Sequence, residues 1–469
     1  MIWVHAFEAV ALGYLVLVIG SYTLTSLAAL APLMRLRLRA DRFHTAEALA
    51  AASAPPISLL VPMYNEEAVC VESVKALLGV AYPTREVLVV NDGSTDGTVA
   101  RLVDAFDLVE TPRLPVGGLT TAPVRRVFHS RTRPDLWLID KANGGKADAL
   151  NAGLAYCRTP LFCMLDGDSL LAPDALLRAA QPFLEDATTI AVGGTIGVAN
   201  GATVRAGLVT DVRMPRSWLA RFQTLEYLRA FAAARSGWAS FNGLLIVSGA
   251  FGLFRRAPVV AIGGLDDASV GEDMELVMRL HRYHLKTGTP YRVAYAPDAI
   301  SWTEVPESMR VLGRQRDRWH RGLAQVLWRH RRMLFRRTYG RIGWVAMPAF
   351  VLVELLGPVA EFVGLVALLV LGSLGAIDWP VAGLMYLLAL VLGMAQSLAA
   401  VALEQLAFRR YTRTSDLLLL LGLAVLENVG YRQLTVWWRL RGLVGFLRDD
   451  KSWGEMTRTG FNVSPAPHG

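Results

Sequence analysis

Short apolar strands that end in acidic turns, set between apolar segments of membrane length, constrain this chain more than any other feature. Glu86 to Val90 runs into Asn91-Asp92-Gly93-Ser94, and Leu161 to Leu165 runs into Asp166-Gly167-Asp168. Gly271-Glu272-Asp273 opens a helix, and Gln315-Arg316-Asp317-Arg318-Trp319 lies on another. Between them strand and helix patterns alternate. Ile57 to Val61 reads as a buried strand stopped by Pro62, and Val124 to Phe128 as another strand. Helices are expected over Glu66 to Leu78, Lys146 to Tyr156 and Pro173 to Leu184. That alternation predicts an α/β fold with a parallel sheet covered by helices on both faces. Ligands of such sheets bind outside the carboxyl ends of the strands, where the acidic turns lie.

The apolar segments set the rest of the organisation. Ala9 to Met34 is long enough to span about 30 Å of hydrocarbon, and Arg35, Arg37, Arg39 and Arg42 follow it. Gly343 to Leu374 and Val381 to Phe408 are two more candidate spans, with Arg409, Arg410 and Arg413 after the second. The arginines place the N-terminus outside and the strand-rich region in the cytoplasm. Leu417 to Leu426 is apolar but is then interrupted by Glu427, Asn428, Tyr431, Arg432 and Gln433, which favours an interfacial or re-entrant helix, or one lining a polar path, over a lipid-facing span. Glu354, Glu361 and Glu404 lie in or near spans, where a carboxylate needs a partner or a water-filled path. Expected boundaries are a first span and basic flank over 1–42, a linker over 43–56 and a cytoplasmic α/β domain over 57–305. Within that domain an interfacial helix is expected over about 214–241. A second interfacial helix over 306–342, a transmembrane or re-entrant region over 343–447 and a cytoplasmic tail over 448–469 complete the chain.

Composition agrees with this mixture. Of 469 residues, 53% are hydrophobic and 19% charged, and mean hydropathy is +0.35. The formal charge of +8 fits arginines flanking spans, and no basic-aromatic nucleic-acid module is present. Cys70, Cys157 and Cys163 have no metal-ligand spacing, which points to a reducing compartment.

Each motif has a chemical use. Asp92, delivered to a sheet edge, can accept hydrogen bonds from a nucleobase. In Asn143-Gly144-Gly145-Lys146 the glycines let backbone amides approach a phosphate and Lys146 adds a point charge, although the spacing is not that of a P-loop. Asp166 and Asp168, two carboxylates flanking a glycine, suit Mg²⁺ or Mn²⁺. Asp273 near a helix N-terminus is held ionised and is a candidate general base. Arg318 can clamp a diphosphate, and Trp319 can stack on a sugar, with Gln315 on the same helix face.

In this order these motifs resemble those of the membrane-integrated family 2 glycosyltransferases, a group that includes cellulose, hyaluronan, chitin-oligosaccharide and poly-N-acetylglucosamine synthases. The resemblance covers about Ser58 to Leu323 and the flanking spans. It implies a GT-A, Rossmann-like nucleotide-sugar-binding domain and an inverting mechanism. Asp92, Lys146, Asp166, Arg318 and Glu66 would then serve the UDP-sugar, Asp166 and Asp168 the metal, and Asp273 the acceptor hydroxyl. Gln315, Arg318 and Trp319 match the QxxRW motif of processive members. Trp319, Gln315, Glu272, Ser248 and Gly249 would serve the acceptor. Lys451 to Arg458 loosely resembles a gating segment, with Trp453 and Arg458 as its marked residues.

The expectation is a multi-pass protein of the plasma (inner) membrane that polymerises a β-linked polysaccharide from UDP-GlcNAc, or next UDP-glucose, and passes the chain through its own membrane part. Accessory export or regulatory proteins are conceivable partners; nucleic acid is not. The alternative is transfer of a single sugar to a lipid acceptor. A silent scaffold is disfavoured by the intact Asp92, Asp166, Asp168 and Asp273.

Overall fold

The computed structural model describes residues 2–40, 54–205 and 207–448. The Trp453 and Arg458 segment lies outside them. The chain divides into two units. Of the described residues, one comprises those within Leu38–Pro215 and Leu244–Val305; the other comprises 2–37, Arg216–Gly243 and 306–448.

The first unit is built on a ten-stranded sheet. Its strands are β1 (Ile57–Met63), β2 (Arg85–Asp92), β3 (Leu108–Glu110), β4 (Val124–Ser130), β5 (Leu136–Lys141), β6 (Leu161–Leu165), β7 (Leu170–Leu171), β8 (Thr189–Val198), β11 (Phe251–Arg255) and β12 (Arg292–Thr303). Two short strands, β9 (Thr203–Arg205) and β10 (Leu208–Asp211), form a separate pair. The order is β3-β4-β5-β2-β1-β6-β11-β8-β12-β7.

Only part of this sheet is the parallel sheet expected from strand-helix alternation. β5, β2, β1 and β6 run parallel, whereas β11 is antiparallel to both β6 and β8. The sheet is mixed because β11 enters from a distant stretch of chain, and because β4 runs antiparallel to β3 and β5 and β7 antiparallel to β12. The central strands are apolar on both faces: Ile57, Leu59, Leu60 and Val61 are fully buried, as are Val87, Leu88 and Val90. Each such side chain contributes about 1.5–3 kcal/mol by leaving water.

Two local expectations shift. Pro62 lies inside β1 rather than ending it, because pairing with β6 stops at Leu60 and no ladder bond on that side is lost. The first helix of the unit starts at Cys70, not Glu66; Glu66 instead accepts at its carbonyl from the Val69 and Cys70 amides in the turn before it. The helix over Lys146–Tyr156 and the strand over Leu161–Leu165 fall where the sequence places them. All three cysteines are buried and free.

The second unit is helical. By length and composition, two described helices can cross a membrane: His5–Leu38 and Trp379–Ala407. Two bent pairs bring the number to four if each is one span. They are Ile342–Leu355 with Gly357–Ser373, bent by 41°, and Thr414–Leu426 with Tyr431–Leu447, bent by 62°. The expected interfacial segment from Met214 to Phe241 is a helix over Trp218–Tyr227 that widens into π-helix over Leu228–Arg235.

The carboxylates in these apolar helices have partners. Glu354 accepts from Tyr22 Oη at 2.9 Å and lies 3.6 Å from Arg439. Glu361 takes a two-pronged contact from Arg432, at 2.9 and 3.0 Å. Glu404 accepts from Arg410 at 3.1 Å, and Glu427 accepts from Arg229 and Ser397. Of the partner and the water-filled path that the sequence left open, each acid is seen with the partner.

Candidate active site

The carboxyl ends of the parallel strands gather the first set of residues. β2 ends at Asp92, β5 at Lys141 and β6 at Leu165, so Asp92, Lys141 and the turn Asp166-Gly167-Asp168 emerge on one edge of the sheet. Lys141 is completely buried. Its ammonium lies 2.6 Å from Asp92 Oδ1 and 2.5 Å from Asp148 Oδ1, and donates to the Ala142 carbonyl at 2.6 Å. Asp92 also accepts from the amides of Gly144, at 3.0 Å, and Gly145, at 2.8 Å. Those two amides, which the sequence assigns to a phosphate, are therefore taken by a carboxylate on the adjoining strand. Gly93 permits the close approach. It has φ +70°, and a Cβ there would stand 2.6 Å from the Asn143 amide nitrogen.

Lys146 opens the helix over Lys146–Tyr156 and turns to the opposite side of the loop. Its ammonium donates to Asp166 Oδ1 at 2.5 Å and lies 3.6 Å from Glu272 Oε1. Burial opposes its charge, but Asp166, Glu272 and Asp273 together hold it protonated, above the ordinary lysine range. Burial pushes the Glu272 carboxyl up, against the pull of Lys146.

Asp273 follows in the first turn of the helix Glu272–Thr287. Its Oδ2 accepts from the Gly249 amide at 3.2 Å and its Oδ1 from the Met274 amide at 2.8 Å. Gly249 has room for nothing larger without pressing on this cluster: a Cβ there would lie 3.3 Å from Lys146 Nζ and 3.6 Å from Asp273 Cβ. The acceptor-side pair Ser248 and Gly249 is thus joined to the candidate base by a backbone hydrogen bond.

Asp166 and Asp168 sit two residues apart on one tight turn, closed by Ser169 N to Asp166 O at 3.0 Å. Among the described residues no three His, Cys, Asp or Glu side chains converge as a closed cage. Two hard oxygen donors on one turn fit a Mg²⁺-type cation that completes its shell from water and phosphate oxygens. Glu66 uses its backbone amide to donate to Thr98 Oγ1 at 2.9 Å, and its side chain is half-buried.

One buried histidine, absent from the sequence reading, braces this site. His281 Nε2 faces the Leu244 carbonyl at 2.9 Å, which can only accept, so Nε2 carries the proton and Nδ1 accepts from Tyr291 Oη at 2.8 Å. It thereby ties the Asp273 helix to the chain leading to Gly249. Burial lowers its pKa from 6.5 to about 4, and neighbouring His284 adds to the fall. The neutral ring is the stabilising form. Between pH 6.5 and 4 the unfolded chain takes up a proton that the folded chain does not, so stability falls as pH drops through that window, by about 3 kcal/mol in all. Thermal unfolding of the full chain should show this loss, and His281→Gln should flatten that part of the pH profile.

The Arg/Trp motif belongs to the helical unit, on the helix Met309–Arg329. Trp319 is 44% exposed. Arg318 is half-buried, and the Gln315 Oε1 oxygen is buried with no hydrogen bond to it among the described residues. Arg316 lies over the Trp319 ring, 4.5 Å from its centroid.

A model of "Glycosyl transferase family group 2" matches residues 161–395, half of the chain, and one of "Glycosyl transferase family 2" matches residues 58–259. The chain belongs to the family 2 glycosyltransferases. It is 25% identical over 274 residues to a poly-beta-1,6-N-acetyl-D-glucosamine synthase of Staphylococcus epidermidis, covering 58% of this chain and 56% of that one. It is 28% identical over 293 residues to the probable glycosyltransferase YdaM of Bacillus subtilis, covering 61% and 60%. The chain thus spans a little over half the length of these relatives. A solved mannosyltransferase from Pyrobaculum calidifontis, in complex with GDP-Man and Mn²⁺, is similar with a TM-score of 0.52 at 19% identity, covering 95% of this chain and all of that one. That likeness is one of fold, and the mixed sheet of this transferase is of the GT-A kind.

Proposed function

We propose that this chain is a processive, inverting glycosyltransferase that extends a β-linked polysaccharide from a UDP-sugar and moves the product across the membrane. UDP-GlcNAc is the favoured donor and UDP-glucose the next. The observation that carries the reading is the convergence of Lys146, Asp166, Glu272, Asp273 and the Gly249 amide at one sheet edge. A transferase of this class must hold a diphosphate and deprotonate a hydroxyl within one site, and this cluster has a cation for the first task and a carboxylate for the second.

Asp273 takes the proton of the acceptor hydroxyl as its oxygen attacks the anomeric carbon. The bond from that carbon to the UDP oxygen breaks on the opposite side, and UDP leaves with the electron pair. Single in-line displacement inverts the anomeric centre. Lys146 neutralises the departing diphosphate, and Asp92 and Glu66 serve the nucleotide side, Asp92 through the glycine loop that it holds. Asp166 and Asp168 would hold Mg²⁺ or Mn²⁺, whose chemistry is charge neutralisation of the leaving diphosphate. Gln315, Arg318 and Trp319 would engage diphosphate and acceptor, with Glu272, Ser248 and Gly249 on the acceptor side. The catalytic region would be cytoplasmic and the N-terminus outside.

The similarity to a poly-N-acetylglucosamine synthase supports polymer over single transfer. Purified full-length protein given a panel of UDP-sugars with Mg²⁺ or Mn²⁺ should release UDP and form a chain resolvable by mass spectrometry. A product carrying one sugar on lipid would overturn the polymer reading, and no UDP release from any donor would overturn the transferase reading.

A further inference from the structure

Arg316 has no assigned role in the motif, although it is the motif's most buried side chain, 8% exposed. Its guanidinium donates to Glu226 on the helix Trp218–Tyr227 and lies over the Trp319 ring, 4.5 Å from the centroid. Glu226 Oε2 also accepts from Tyr431 Oη at 3.1 Å. Tyr431 begins the second helix of a bent pair and stacks on Phe222, with ring centroids 4.6 Å apart and planes 16° from parallel. Three helices therefore meet at one half-buried carboxylate. Two of them approach closely: a Cβ on Gly313 of the Arg316 helix would lie 2.7 Å from Trp438 Nε1 of the Tyr431 helix.

We infer that Glu226, Arg316 and Tyr431 are positioning residues that fix the Trp319 ring as a platform for the acceptor sugar. This rests on the polymerase reading above. The physical reason is the asymmetry of the ring's surroundings. Arg316 lies over it, while 44% of Trp319 remains exposed, so the indole is held by a cation inside the helical unit and still presents surface to a sugar. An arginine is needed for this because its planar group can pair with a carboxylate at the edge while its face lies on the indole. A lysine retains the charge but lacks the planar group. Trp319 sits three residues from Arg316, so any tilt of the guanidinium passes directly to the ring. Tyr431 is the second hand on Glu226; without it the carboxylate has one fewer donor and more freedom to swing.

The test separates donor from acceptor. Full-length wild type, Glu226→Gln, Tyr431→Phe, Arg316→Lys and Arg316→Met are compared for UDP release without acceptor, acceptor-oligosaccharide KM, product length and Tm. Donor hydrolysis and donor KM should stay within about twofold of wild type in the first three variants. Acceptor KM should rise by roughly 3- to 30-fold, the range of a cation–π contact, and products should shorten. Arg316→Lys should recover the Tm lost in Arg316→Met without recovering acceptor KM. Recovery of both by lysine would overturn the positioning role, as would a parallel loss of donor hydrolysis in Glu226→Gln and Tyr431→Phe. A wild type that adds only one sugar would instead sink the polymerase reading, whatever the variants do.

Discussion

Asp273→Asn should lower kcat by about 10²–10⁴-fold, the range supplied by a positioned general base. The change is nearly isosteric, so the fold should be retained. The Met274 amide can still donate to the side-chain oxygen, as it now does at 2.8 Å. What disappears is a carboxylate able to take a proton. Donor binding rests on other groups, with Lys146 anchored 2.5 Å from Asp166, so the dissociation constant for UDP should move little. Turnover and UDP binding measured on the same preparation check this directly. A variant that retains more than about a tenth of wild-type kcat removes Asp273 from the base role. Loss of UDP binding in step with kcat makes it part of the donor pocket instead.

Much of the site was legible in the sequence because its carboxylates are local signals. A strand that ends in Asp-Gly-Asp announces a tight acidic turn, and Lys146 after two glycines announces a helix start; both lie where expected. The unreadable part depends on contacts made far along the chain. β11 pairs antiparallel with β6, Phe251 opposite Leu165, a pairing that no local pattern encodes and that interrupts the parallel run of β5, β2, β1 and β6. Pro62 read as a stop because its missing amide normally costs a ladder bond, and only the early end of β6 removes that cost. Arg316 has no role in the motif as the sequence alone presents it. Its partner Glu226 comes from another helix, and nothing in the five-residue motif distinguishes the arginine that is buried from the one that is not.

Lys141 is the clearest case of a residue hidden from sequence and exposed by packing, and its loss should be the most damaging to stability. All three of its N–H groups are used: toward Asp92 at 2.6 Å, toward Asp148 at 2.5 Å and to the Ala142 carbonyl at 2.6 Å. The side chain has no exposed surface. Lys141→Met preserves most of its volume and removes the charge, leaving two buried carboxylates beside one another. Among the described residues, Asp92 would keep the Gly144 and Gly145 amides, and Asp148 the Ala122 amide at 3.0 Å. Breaking a buried pair from one side costs about 3–5 kcal/mol, because the remaining charge stays desolvated. For a unit of this size that corresponds to a fall in Tm of roughly 10 °C. Adding Asp148→Asn to Lys141→Met should return part of the loss, since it removes one of the two stranded charges, whereas Asp148→Asn alone should be destabilising. Thermal unfolding of the two single variants and the double variant yields the coupling directly. A Lys141→Met protein within about 2 °C of wild type would mean that the two carboxylates find other donors, and that the glycine loop is held without the lysine.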